Sequence, residues 1–366
     1  MSTYYNNKQT SSIDELKKRI KENTMQGVYL FWGAEEYTKD FYAEKIRKLV
    51  KGSPLPEFNY VIFDAETSSP GDFEEAADAL PYLWEQKVIE IRNLMPNKLS
   101  ADDGEAYARI LSTLPDYLTV LILLRSGDYN GSTSSAASKK PEKDKEKEKR
   151  NGFKSLLSAV EEFGLVVEFQ TEKGDKLCHW VERHFASRHV KISQNLASFL
   201  VSYCGSDMYT LQGEIQKLCD AYQGVPLTEQ DVKTYCSANE SHVFFDVASC
   251  MVRRDLAGAR KILSSLRMTP DDVTMAMGFL ASNYRLMVLV KSGMDHGKSA
   301  SQIAAEHKVS SWKVSKVISS LQNIDSATLH RAIADIADAD TRMKTRRGDS
   351  VAALELLVYR ICTYGR

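Results

Sequence analysis

A chain of 366 residues has material for two or three domains, each able to bury a core of its own. Its formal net charge of −1 excludes a global pull toward nucleic acid, so any contact with phosphates has to come from a local patch. Its six cysteines, at 178, 204, 219, 236, 250 and 362, include no C-x-x-C pair, which speaks against zinc and for reduced thiols in a cytosol.

No N-terminal segment has the basic-then-apolar order of a signal peptide, and no apolar run reads as membrane-spanning. A cytoplasmic protein with no membrane partner is therefore expected. Ser12 to Lys21 carries apolar residues at Ile13, Leu16 and Ile20, the spacing of a helix face. Gly27 to Trp32 is a continuous apolar run of the kind found in strands buried on both faces. Gly33 breaks it, and 35–50 reads as the next helix.

Strand, glycine and helix in that order is where a phosphate-binding loop would sit. A working loop needs a second glycine before its lysine and a hydroxyl after it for Mg²⁺. Thr38 and Asp40 hold those positions around Lys39, and Glu35 and Glu36 put negative charge where phosphate should go. Gly33, Thr38, Lys39 and Asp40 thus spell a degenerate loop that is expected to bind no nucleotide, and no cofactor is expected.

Residues 59–63 read as a second strand. A helix over 71–80 follows, with Asp72 as its N-cap, and Pro81 stops it because proline lacks an N–H and restricts the residue before it. Lys87 to Arg92 mixes charged and apolar residues in near-alternation and reads as a strand. Between the two stand Tyr82, Leu83 and Trp84, three large apolar groups in a row. Neighbours on a helical turn lie about 100° apart, so at least one of the three has to look outward. Two readings are open from the residues alone: a cap folded back over the sheet edge, or a hydrophobic plug offered to a partner's pocket.

Strands are expected at 118–124 and 165–169, with helices over 101–113 and 151–162. Strands alternating with helices imply right-handed crossovers and a mostly parallel sheet, so residues 1–170 form one α/β domain. Within it, 127–150 is Ser/Gly-rich and then a mixed-sign charge run, which reads as a disordered surface insertion.

From Gly174 the pattern is helical throughout, with helices at 174–188, 193–204, 208–222 and 228–237 and then seven more to the end. The boundaries that follow are 171–239 for a small helical domain and 240–366 for a larger one. Cys178-His179 has no acid or oxyanion arrangement with it, so no nucleophile is expected there. Ser292 to Ser299 nearly spells a phosphate loop, but serine stands for its first glycine and a long helix precedes it. Residues 299–321 have the outline of a helix-turn-helix, which makes a DNA-binding regulator the alternative function. Arg342, Lys344, Arg346 and Arg347 form a basic cluster that could meet phosphates, flanked by Asp340 and Asp349.

Several segments together resemble the delta subunit family of the bacterial DNA polymerase III clamp loader. They are Val28 to Glu36, Asp78 to Asn93, Gly205 to Leu218 and the terminal helices. The resemblance implies an AAA+ module, with a RecA-like parallel-sheet base, a small helical lid and a C-terminal helical collar. It implies a place in a ring beside the gamma or tau ATPase subunits and delta prime, with primer–template DNA held within the complex. No ATP hydrolysis or other catalysis of its own is implied; the DNA-directed DNA polymerase activity is that of the whole complex. The family's clamp-binding element, an adjacent hydrophobic pair, maps onto Tyr82 and Leu83, with Trp84 in support, and its partner is the beta sliding clamp.

Overall fold

The computed structural model describes residues 2–128, 144–222, 224–266, 268–309, 311–321, 324–345 and 350–364, with side chains in the helices at 2–22 and 144–163 described from 12 and 152 onward. The chain forms two compact units, Met1–Thr171 and Glu172–Arg366. The fold class is α/β followed by all-α.

The first unit opens with α1 (Ser2–Glu22), β1 (Gly27–Trp32), α2 (Glu36–Lys51), the single turn α3 (Pro56–Asn59) and β2 (Tyr60–Asp64). It continues through α4 (Pro70–Asp78), β3 (Lys87–Arg92), α5 (Ala101–Leu111), β4 (Leu118–Leu123), α6 (Asp144–Phe163) and β5 (Gly164–Glu168). The five strands make one sheet in the order β2-β3-β4-β1-β5, and every pairing is parallel. Because side chains alternate across a strand, β1 feeds both faces. Val28 and Leu30 pack with Phe63, Phe73, Ile91 and Val160 on one side, and Tyr29 and Phe31 pack with Leu16, Ile46, Leu121 and Val167 on the other. Each such side chain contributes about 1.5–3 kcal/mol on burial, which is why the apolar runs of β1 and β4 lie in the middle of the sheet. On one face α5 meets α6 at a Gly104–Gly152 crossing, where a Cβ on Gly104 would stand 2.1 Å from the Gly152 carbonyl oxygen.

Local details differ from the sequence reading. The N-cap of α4 is Ser69, not Asp72: with Pro70 in the first turn, the Ser69 hydroxyl accepts from the Asp72 N–H and the Asp72 carboxylate accepts from the Ser69 N–H at 2.7 Å. These reciprocal bonds satisfy two N–H groups at the helix start and place Asp72 in the third position. The helix ends at Asp78, two residues before the expected 80. At the other disputed boundary, α6 begins at Asp144 and takes up the last part of the expected 127–150 insertion, while 129–143 lie outside the described residues.

The second unit is entirely helical among the described residues. Its first helices are α7 (Asp175–Ala186), α8 (Gln194–Cys204), α9 (Met208–Asp220), α10 (Glu229–Tyr235), α11 (Glu240–Val252) and α12 (Leu256–Ser264). They are followed by α13 (Pro270–Asp295), α14 (Ala300–His307), α15 (Ser311–Ser320), α16 (Ser326–Thr345) and α17 (Ser350–Cys362). By length and composition α13 could cross a membrane, contrary to the expectation that no apolar stretch would suffice. It serves instead as a core helix: Ala276, Leu280, Tyr284 and Met287 pack against Phe244, Leu329, Ile336 and Leu357 from α11, α16 and α17. A helix surrounded by others is apolar on most of its circumference without being a span.

Candidate functional site

The eight residues between α4 and β3, 79–86, are fixed at three points. At the entry, the buried Lys87 ammonium donates to the carbonyl oxygens of Ala76 and Ala79 at 2.6 and 2.9 Å. A cation on the last free carbonyls of a helix satisfies acceptors and complements the helix dipole; burial pushes the Lys87 pKa down. At the middle, the fully buried Asn59 side chain clamps the backbone of Tyr82, accepting from its N–H at 2.7 Å and donating to its carbonyl at 2.9 Å. At the exit, the Trp84 indole N–H donates to the Leu49 carbonyl at 3.1 Å and the ring lies about 3.8 Å from where a Cβ on Gly52 would be.

Held this way, the loop turns its apolar side chains outward. Leu80 is 76% exposed, Tyr82 47%, Leu83 69% and Trp84 39%. Leu83 stands at φ 48°, a left-handed conformation that costs a branched residue energy and persists where the surroundings impose it. The Tyr82 ring leans on the exposed Phe58 ring at 5.4 Å. Beside Leu83 and Trp84 opens a cleft of about 840 Å³ edged by Lys45, Lys48 and Leu49. A rigid loop with a row of exposed anchors and an adjoining cleft has the form of a docking element.

Behind the loop, β3 carries a second buried charge. Glu90 accepts two parallel hydrogen bonds from Arg47 at 2.7 and 2.9 Å, one from the Tyr60 hydroxyl at 2.6 Å and one from Arg92 at 2.6 Å. Burial pushes its pKa up, but these donors outweigh burial and hold it at about 2. The network ties α2 to the β2–β3 edge on which the loop is mounted.

The degenerate phosphate loop lies at the carboxyl end of β1, at the other end of α2 from Trp84. For 16 residues that is roughly 24 Å at 1.5 Å per residue. The space is closed by the protein itself. Lys39 is fully buried, and its ammonium donates to Glu36 and to the Leu124 carbonyl, both at 2.8 Å. Arg125 reaches Glu36 and Asp40 at 2.9 Å each, and the Ser126 N–H donates to Glu36 at 2.6 Å. Burial raises the Glu36 pKa, yet Lys39 and Arg125 outweigh it and keep the carboxyl ionised. A carboxylate therefore occupies the lysine that a nucleotide would need. The backbone is closed too: the Glu35 N–H donates to the Phe169 carbonyl at 3.0 Å, and a Cβ on Gly33, at φ 111°, would stand 2.3 Å from that same oxygen. Gly33→Ala is expected to lower the unfolding temperature of the α/β unit clearly, by strain rather than lost function; an unchanged melting curve would show that the loop can yield.

Arg342 and Lys344 lie on α16 and pair with Asp338 and Asp340 at 2.8 and 2.7 Å, while Arg346 and Arg347 lie outside the described residues. The helix-turn-helix candidate forms as α14 and α15, with Lys308 in the left-handed turn position at φ 54°. The leading residues of α15 are engaged within the unit. The Trp312 indole donates to Glu229 at 3.2 Å and its ring leans on Phe199 at 5.1 Å, and Lys316 pairs with Glu229 at 3.5 Å. Sequence reasoning missed Asn59 and Lys87; the available signal was a lysine opening a strand just after a helix end.

A family model for the DNA polymerase III delta subunit matches residues 29–146, and one for the C-terminal domain of that subunit matches residues 240–361. DNA polymerase III subunit delta of Bacillus subtilis (strain 168) is 22% identical over 357 residues, covering 95% of this chain and 96% of that protein. Among solved structures, the Bacillus subtilis DNA clamp loader delta protein is similar with a TM-score of 0.52 and 19% identity, over 96% of this chain and 99% of that one.

Proposed function

The chain belongs to the DNA polymerase III delta subunit family, and from that premise we propose that it is the subunit that grips and opens the beta sliding clamp. The observation that carries the reading is Leu83, exposed at the tip of a loop pinned by Asn59, Lys87 and Trp84. Tyr82 and Leu83 enter a pocket on the clamp near one subunit interface, and Trp84 braces them. The work is mechanical: a ligand shifts the open–closed equilibrium only by its preference for the open clamp. A preformed loop keeps the ordering cost of docking low.

The chain itself hydrolyses no ATP, in keeping with the Lys39–Glu36 pair in its phosphate loop. ATP on the gamma or tau neighbours makes the plug available, and hydrolysis after DNA binding releases it. The helical unit acts as lid (171–239) and collar (240–366), the collar joining delta prime and the ATPase subunits in the cytoplasm. Primer–template DNA passes within the complex, where Arg342, Lys344, Arg346 and Arg347 are candidate phosphate contacts.

The test is capture of the purified full-length chain on a surface carrying the same organism's sliding clamp, without nucleotide, next to equilibrium dialysis against ATP. Saturable clamp binding with no ATP uptake is expected. A chain that ignored the clamp, bound ATP alone, or shifted one duplex sequence selectively would overturn the reading; the last result would favour the helix-turn-helix regulator.

A further inference from the structure

Two thiols and a carboxylate from three successive helices meet inside the helical unit. Cys204 is the last residue of α8, Glu214 lies within α9, and Cys236 caps the end of α10. All three are buried, and one ligand atom from each lies within 4.8 Å of the other two. A buried free cysteine ordinarily packs as a small hydrophobe. A carboxylate stands beside the two thiols, and burying an ionised group is costly unless it is paired. The Glu214 Oε2 atom makes no aligned hydrogen bond among the described residues, and its ion-pair partner is the half-exposed Lys217 ammonium at 2.5 Å.

We propose that Cys204, Glu214 and Cys236 form a binding site for one thiophilic divalent cation of the zinc type, with water as the fourth ligand. Zn–S and Zn–O bonds of roughly 2.3 and 2.0–2.2 Å place tetrahedral ligand atoms roughly 3.5–3.8 Å apart, inside the 4.8 Å within which the three atoms lie. The charge also closes. Two thiolates, one carboxylate and a dication sum to −1, and Lys217 stands against the carboxylate to balance it. Binding displaces the two thiol protons to solvent. The missing C-x-x-C spacing excludes a local knuckle but not this site, because each ligand comes from a different helix. The cation would tie the ends of α8 and α10 to α9, a structural role independent of the plug.

The experiment uses the full-length chain, reduced and stripped of metal, titrated with Co²⁺. One equivalent is expected to bind with a thiolate-to-cobalt charge-transfer band that Zn²⁺ then abolishes. The double variant Cys204→Ser/Cys236→Ser should lose the band, Glu214→Gln should weaken it, and Cys219→Ser should keep it. Should the double variant fail to fold, the unmodified chain still decides: Zn²⁺ should slow alkylation at Cys204 and Cys236, located by peptide mapping, and leave Cys219 unaffected. No band in the unmodified chain, a band that survives the double variant, or unprotected Cys204 and Cys236 would each overturn the site.

Discussion

Leu83→Ala is expected to weaken binding to the organism's own sliding clamp by about 30-fold or more while leaving the unfolding temperature unchanged. Leu83 is 69% exposed, so truncating it removes little from the chain's own core. Ala accepts the φ of 48° no worse than Leu, so the loop keeps its course. In a complex the same side chain is a central anchor, and losing such an anchor costs about 2–4 kcal/mol; about 2 kcal/mol is already near 30-fold. Asn59→Ala makes a companion variant. It touches no partner, but it frees the Tyr82 backbone from both of its bonds to the side chain and should weaken binding through loss of loop order. Surface plasmon resonance on folded protein reads both. Wild-type affinity for Leu83→Ala would move the docking element elsewhere on the chain.

Glu90→Gln should cost the α/β unit about 3–5 kcal/mol, because the Arg47 guanidinium loses its buried counter-charge and keeps only the half-exposed Glu44 at 3.6 Å. The sign with pH follows from the carboxyl pKa, held at about 2 against an ordinary 4.5. A group held low in the folded state binds protons more readily when unfolded, so its contribution is complete above about pH 5. It is lost as pH falls from about 4.5 to about 2, a swing on the order of 3 kcal/mol. Urea titrations of the normal chain and of Glu90→Gln between about pH 7 and pH 3 should converge toward acid. Curves that stay parallel would show that Glu90 does not carry the acid dependence.

The same pair of buried charges shows how far the residues speak for themselves. Lys87 to Arg92 is legible as a strand from its alternation, but alternation suggests charges facing water, whereas Lys87 and Glu90 point inward. Each is buried because a partner on another element satisfies it: two carbonyls at the end of α4 for Lys87, and Arg47 with Tyr60 for Glu90. In the phosphate loop, by contrast, the residue types already spoke against nucleotide binding. Thr38 stands where a working loop has its glycine, Asp40 where it has its hydroxyl, and two glutamates bring like charge toward a phosphate; the fold adds that Lys39 is turned onto Glu36 and Leu124.

By itself, then, the amino-acid order determined the α/β and all-α halves, the five strands to within a residue or so, and the departures from a working phosphate loop at Thr38 and Asp40. These depend on local periodicity and on the chemistry of neighbouring side chains. Only the tertiary structure decided which way Tyr82, Leu83 and Trp84 face and that Cys204, Glu214 and Cys236 meet. Three adjacent apolar residues can be sealed in or offered outward equally well; the choice falls to Asn59, 23 positions upstream of Tyr82. Burial and proximity belong to the packed chain, because which helix end or strand faces which is settled only when the elements pack.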